Sequence, residues 1–343
     1  MLKYFKGSIA VTVISVLSVL GIVWYQTQSY EIVLQALLTT SLLAVLEISL
    51  SFDNAVVNAT VMKTMSPVWK KRFLTWGMLI AVFGMRLVFP LLIVSIMAGI
   101  GPFEALKLSI YDAPKYAEIM TSSHLHVASF GGMFLFMVFI HFFINAEKEV
   151  HWIPIFEKPL VHSAKFEGVE FLFTLLALVG FSFFLQDVNE QKSFLFSGLL
   201  GIITFLLVHG LSSYLETKNI VVDASKTVAT TGLSTFLYLE VLDASFSFDG
   251  VIGAFAITNN LFIIMIGLSI GAFFVRSLTI MFVEQKTVEQ FKYLEHGAFY
   301  ALGVLALLIL FSVFMHIPEW ITGLSGMLIL AVSVLWSMKE KRG

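Results

Sequence analysis

Two stretches, Glu47-Ile-Ser-Leu-Ser-Phe-Asp53-Asn54 and Asp243-Ala-Ser-Phe-Ser-Phe-Asp249-Gly250, share the frame acid-x-Ser-x-Ser-Phe-Asp inside strongly apolar surroundings. An ionised carboxylate near a bilayer centre costs roughly 2.5–3.5 kcal/mol on insertion scales. Four acids in two matching frames therefore point first to a cation or proton site. Carboxylate, amide and carbonyl oxygens suit Mg²⁺, Ca²⁺ or Mn²⁺. Asn54 and Asn58, one helical turn apart, offer amide oxygens. Ser49, Ser51, Ser245 and Ser247 offer hydroxyls, although such serines more often serve helix packing. The competing reading is structural, with Arg86 and Arg276 as counter-charges to two of the acids in a buried network. Even then about two negative charges remain for a divalent ion or for protons.

Other polar groups are weaker candidates. Glu240 lies three residues before Asp243 and shares its helical face, so it is a possible further ligand or relay. His126 is a possible transition-metal ligand, set against the commoner solvated interfacial histidine. Glu167 and Glu170 flank the start of one apolar segment. His141 and His209 are possible proton relays or ordinary interhelical hydrogen-bonding groups. The chain has no cysteine, which removes disulfides, thiolate ligands and thiol nucleophiles. It has no HExxH, GxSxG or Walker loop, so no enzymatic activity is expected. The phenylalanine-rich stretch around Phe181, Phe183 and Phe184 is read as packing and lipid-facing surface.

These residues must be positioned by membrane helices. The chain is 343 residues long and 58% hydrophobic, with a mean hydropathy of +0.91, well outside the soluble range. The net charge is −2, and no basic block suggests a nucleic-acid partner. The bilayer is the partner that composition implies. A span needs about 20 apolar residues. Ten such segments are expected, approximately at Ser8–Tyr25, Ile32–Met62, Phe73–Ala98, Val127–Asn145, Val169–Gln186, Phe194–Leu215, Thr231–Ile257, Leu261–Val283, Gly297–Met315 and Glu319–Met338. The first is read as a retained span rather than a cleaved signal. Of the 21 Lys and Arg residues, Arg86 and Arg276 fall inside spans, Lys107, Lys115 and Lys192 fall on one side, and the rest fall on the other. The positive-inside rule then puts both termini in the cytoplasm.

The resemblance between spans 2 and 7 continues beyond the acids. Span 3 carries Gly77, Phe83 and Arg86, and span 8 carries Gly267, Phe273 and Arg276 in the same register; His126-Val-Ala128 and His296-Gly-Ala298 form a weaker third pair. Copies five spans apart cross in opposite directions. The expected architecture is an all-α polytopic bundle forming a single membrane domain over residues 1–343. It is built from two five-span halves, 1–190 and 191–343, in inverted topology, an arrangement recurrent in secondary transporters. Within each copy the acids are six residues apart, which leaves them about 120° apart on an unbroken helix. Asn54, Gly250 and Gly253 tolerate interruption, so helices 2 and 7 are expected to break near Asp53 and Asp249 and to free carbonyls for a cation.

The Glu47–Ala55 stretch, the answering Asp243–Phe255 stretch and the Gly-to-Arg frames that follow each resemble the TerC family, in particular its branch of uncharacterised integral membrane domains. The resemblance runs through most of the chain in span order. It implies a bacterial inner-membrane protein of the LysE-like transporter superfamily, associated by name with tellurium resistance and in several members with manganese efflux. Carried over, the family's acidic positions fall on Glu47, Asp53, Asn54, Asp243 and Asp249 as the metal site. Asp243 stands where the first copy has Glu, and Gly250 where it has Asn. The expected function is a divalent metal-ion transporter, foremost an Mn²⁺ exporter working by alternating access, with protons or the membrane potential as the driving force. The alternatives are a membrane scaffold that supports metal loading or insertion of other proteins, and an exporter of small organic solutes.

Overall fold

A computed structural model describes the backbone of residues 2–77, 79–145, 150–166, 168–219 and 224–341, and the side chains there except at 211–231, 248, 249, 256 and 319. Every regular element among the described residues is helical. The expected spans correspond to α1 (Leu2–Thr27), α2 (Tyr30–Leu50) with α3 (Phe52–Met62), a third span from α4 (Pro67–Arg72) to α5 (Phe89–Ala98), α8 (His124–Phe143), α10 (Val169–Ser182), α11 (Val188–Asn219), α12 (Ala224–Ile257), α13 (Leu261–Glu284), α15 (Leu294–Phe311) and α16 (Glu319–Glu340). Eight described helices are long and apolar enough to cross a membrane, and α10 is a shorter apolar helix. The chain is a multi-pass membrane protein.

Between spans, α6 (Pro102–Tyr111) and α7 (Ala113–Ser122) pack on each other as a short helical pair, and α14 (Thr287–Gln290) is a single turn. The other long connection carries α9 (Pro154–Ser163). Here Glu157 is fully buried. It accepts the backbone N–H groups of Trp152 at 3.1 Å and Ile153 at 3.0 Å, and the Tyr300 hydroxyl at 3.1 Å. His151 approaches it at 3.3 Å and His296 at 3.6 Å. A carboxylate with this many donors ties the connection to α15.

Helices α13 and α15 are buried over most of their spans, whereas α1 is apolar and largely exposed, as a lipid-facing helix must be. The close packing of α13 on α2 rests on Gly267 and Gly271, a small-xxx-small pair. A Cβ at Gly267 would come within 2.6 Å of Leu43, and one at Gly271 within 2.5 Å of Glu47. The pair that brings the helices together also sets the depth of Glu47.

The second span breaks at Ser51, between α2 and α3. The local sequence explains this. The Asp53 side chain accepts the N–H of Asn54 at 3.0 Å, so a backbone donor is satisfied by a side chain rather than by the preceding turn. Ser51, at the N-cap of α3, makes no side-chain cap bond; it is the local Asp53 bond that competes with the helical ladder. The expected break in span 7 does not occur: α12 runs unbroken for 34 residues through Asp249 and Gly250. Gly250 instead admits a neighbour, since a Cβ there would lie 3.1 Å from Glu47 Oε2.

The third span is irregular, with π-helical turns at Phe73–Gly77 and Ile80–Val88. The second ends just before Pro90, which occupies the first turn of α5. A proline has no N–H and crowds the carbonyl four residues earlier, and a widened turn relieves both. Gly99, at φ 64°, closes the span in the left-handed region that glycine enters freely.

Candidate functional site

The break in span 2, the π-helical part of span 3, α12 and α13 enclose a cavity of ≈ 50 Å³. Glu47, Ser51, Asn54, Asn58, Gly77, Arg86, Asp243, Ser247 and Arg276 line it. That is room for an ion or a few waters, far below the roughly 300 Å³ at which small-molecule pockets begin.

The first motif copy is internally paired. Glu47 and Arg86 are both buried. Arg86 NH2 donates to Glu47 Oε1, and its NH1 donates to the carbonyl of Ala81. Ser51 adds its hydroxyl to the same carboxylate oxygen at 3.0 Å. The second copy is arranged differently. Asp243 Oδ1 accepts Asn58 Nδ2 at 2.7 Å, so its partner is an amide of the other copy. Arg276 NH2 donates to the carbonyl of Leu74 in the π-helical segment.

The structure thus brings Glu47, Asn54, Asn58, Asp243, Arg86 and Arg276 to one cavity. Asp53 is buried but does not line it; its Oδ2 faces α16, where a Cβ on Gly326 would meet it at 3.0 Å. The side chain of Asp249 lies outside the described residues. Ser49 and Ser245 each donate to the carbonyl one turn earlier, both at 2.9 Å, which is a helix-internal role. His126 is away from the cavity, with Nδ1 at 3.2 Å from the Ser197 hydroxyl. Glu240 does not itself line the cavity; it stands one turn before Asp243 on α12, with Oε1 against Gly77 of the cavity wall. Among the described residues, no three His, Asp or Glu side chains are grouped so as to hold a metal ion between them; oxygen ligands here would have to include the amides.

Two polar clusters lie elsewhere. His141 meets Glu170 at 3.1 Å, with the His209 ring 4.3 Å from its own, so these candidates form an interhelical group of α8, α10 and α11. Glu167 lies outside the described residues. Glu157, described above, was not singled out from the sequence. It sits in a connection without periodicity, and nothing local announces that a carboxylate there is buried.

The chain matches the family described as "Protein of unknown function (DUF475)" over residues 52–343. It belongs to that family. The family match takes in Asn54, Asn58, Arg86, Glu240, Asp243 and Arg276, and begins just after Glu47. No curated protein and no solved structure matches the chain.

Proposed function

We propose that this protein is a divalent metal-ion transporter, foremost an Mn²⁺ exporter, resident in a bacterial inner membrane with both termini cytoplasmic. The observation that carries the reading is the ion-sized cavity among membrane helices, lined by Glu47, Asp243, Asn54 and Asn58. Hard oxygen ligands of this kind suit Mn²⁺, Mg²⁺ and Ca²⁺. The likeness of the doubled motif to the TerC family supports manganese among these, and the two five-span halves supply the inverted repeats that alternating access requires. The small volume speaks against organic solutes as cargo.

Moving a divalent ion out against an inside-negative potential costs about 4.6 kcal/mol per 100 mV. Export therefore needs coupling, and carboxylates that exchange protons for metal supply it. In the conformation described, Arg86 holds Glu47, so the site has one acid in direct contact with an internal cation and one, Asp243, that accepts side-chain amides.

The test is flux in liposomes containing the purified protein, with a panel of divalent ions and an imposed pH gradient. Mn²⁺ movement that is lost in Asp243→Asn supports the reading. Folded protein that moves none of the ions, in either direction, overturns it in favour of the scaffold role.

A further inference from the structure

Four buried oxygens near Asp243 have no hydrogen-bond donor among the described residues: Asn54 Oδ1, Asn58 Oδ1 and both carboxylate oxygens of Glu240. Their residues are each more than nine-tenths buried, at 6%, 4% and 7% exposure. Buried acceptors are almost always satisfied, and a carboxylate with neither oxygen engaged is the costliest exception. Asn58 already spends its amide nitrogen on Asp243, which turns its oxygen elsewhere. Glu240 and Asp243, three residues apart, project from one face of α12 about 4.5 Å apart along the axis. Glu240 Oε1 lies so close to Gly77 that a Cβ there would approach within 2.5 Å. Only a glycine leaves the carboxylate that place beside the cavity.

Charge points the same way. Glu47 and Arg86 cancel. Among the described side chains beside the cavity, Asp243 and Glu240 then stand against Arg276, whose Nη2 is committed to a backbone carbonyl. Unpaired donors are present too, at the Nε of Arg86 and of Arg276, but the orphaned acceptors outnumber them and two belong to a charged group.

The geometry points to a cation seat built unequally from the two motif copies: Asp243 and Glu240 of α12 as the charged ligands, with the amide oxygens of Asn54 and Asn58 of α3 completing it. In this state Glu47 is excluded by Arg86. The seat therefore departs from the set of acids that the doubled motif nominates, by admitting Glu240 and Asn58 and leaving Glu47 and Asp53 outside. It rests on the reading of the protein as a divalent-cation transporter and specifies where the ion sits.

The measurement is MnCl₂ titration of the detergent-purified full chain by calorimetry, with thermal unfolding recorded without metal. Glu240→Gln keeps the shape and removes one ligand charge. It is expected to weaken Mn²⁺ binding by about tenfold or more, since ligand charge sets affinity at oxygen sites over decades, and to unfold at the same temperature as wild type or higher. Asn58→Ala, which removes a neutral ligand, is expected to weaken binding less than Glu240→Gln. Wild-type affinity in Glu240→Gln overturns the seat. So does a lower unfolding temperature in that variant without metal, because Glu240 would then be a structural partner of Arg276. Wild-type protein that binds no divalent ion strikes instead at the transport reading, so the two failures are distinguishable.

Discussion

The two copies of the acidic motif are nearly the same in sequence and opposite in construction. In the first, the helix breaks at Ser51 and the leading acid, Glu47, is neutralised by Arg86 of the next span. In the second, the helix is continuous, the leading acid, Asp243, is held by Asn58, just past the other motif copy, and the matching arginine donates to a backbone carbonyl. The first copy is a closed ion pair with a backbone defect; the second is an open acid on an intact rod. A duplicated motif thus supplies a fixed charge pair and an available charge, which a symmetric site would not.

Stability should separate the copies most strongly. Glu47→Gln leaves the Arg86 charge buried without its partner, and removing one member of a buried pair costs about 3–5 kcal/mol. Asp243→Asn leaves two amides that can still bond each other, so its cost should be about 1 kcal/mol or less. Thermal or denaturant unfolding in micelles measures both. Equal losses would show that Asp243 is paired as tightly as Glu47 and would erase the distinction. The double variant Glu47→Gln/Arg86→Gln should recover much of the loss, since no lone charge remains.

Arg276 tests the same comparison from the cationic side. Among the described residues its bond is a charge-assisted one to the neutral carbonyl of Leu74, worth about 1.5–3 kcal/mol, so Arg276→Gln should be milder than Arg86→Gln. A larger loss at Arg276 would place an undescribed acid against it. The glycines should rank likewise. Gly271→Val drives a side chain into Glu47 and the α2 backbone, an overpacking of about 1–3 kcal/mol. At Gly250 the nearest atom is the far end of the Glu47 side chain at 3.1 Å, and Gly250→Ala should cost less.

Much of this was legible in the sequence, and the limits have physical causes. Apolar windows of membrane length located the helices, because a buried backbone in lipid has few alternatives to helix. The six-residue spacing leaves Asp53 about 120° from Glu47 on a helix; the break at Ser51 was expected to bring the two acids to one point, and it does not, since Asp53 packs toward α16 and only Glu47 lines the cavity. The direction of pairing was not legible, because whether Arg86 reaches Glu47 and Arg276 reaches a carbonyl depends on helix depth set by Gly267 and Gly271. The expected interruption at Gly250 failed because a glycine marks either a break or a close approach, and only the neighbouring Glu47 side chain decides which. Glu240 looked secondary in the sequence, since nothing local says that Gly77 makes room for it.

The smallest expected effect bears on the break itself. In the first copy the Asn54 N–H is held by the Asp53 side chain, a local side-chain-to-backbone bond worth about 1 kcal/mol. Asp53→Ala removes it and leaves the start of α3 with one fewer satisfied donor, so a loss near that size is expected. Ser245→Ala in the second copy removes only a hydroxyl bonded within its own helix, a contact that substitutes for no backbone bond and should cost less. Amide exchange gives the sharper reading. The N–H groups of Phe52 to Asn54 follow the discontinuity, whereas those around Gly250 lie mid-helix, and exchange protection follows the hydrogen bonds that must open. Faster exchange at the first copy than at the second is the expected outcome, and Asp53→Ala should widen the gap. Equal protection in the two segments would mean that span 2 is continuous in the membrane.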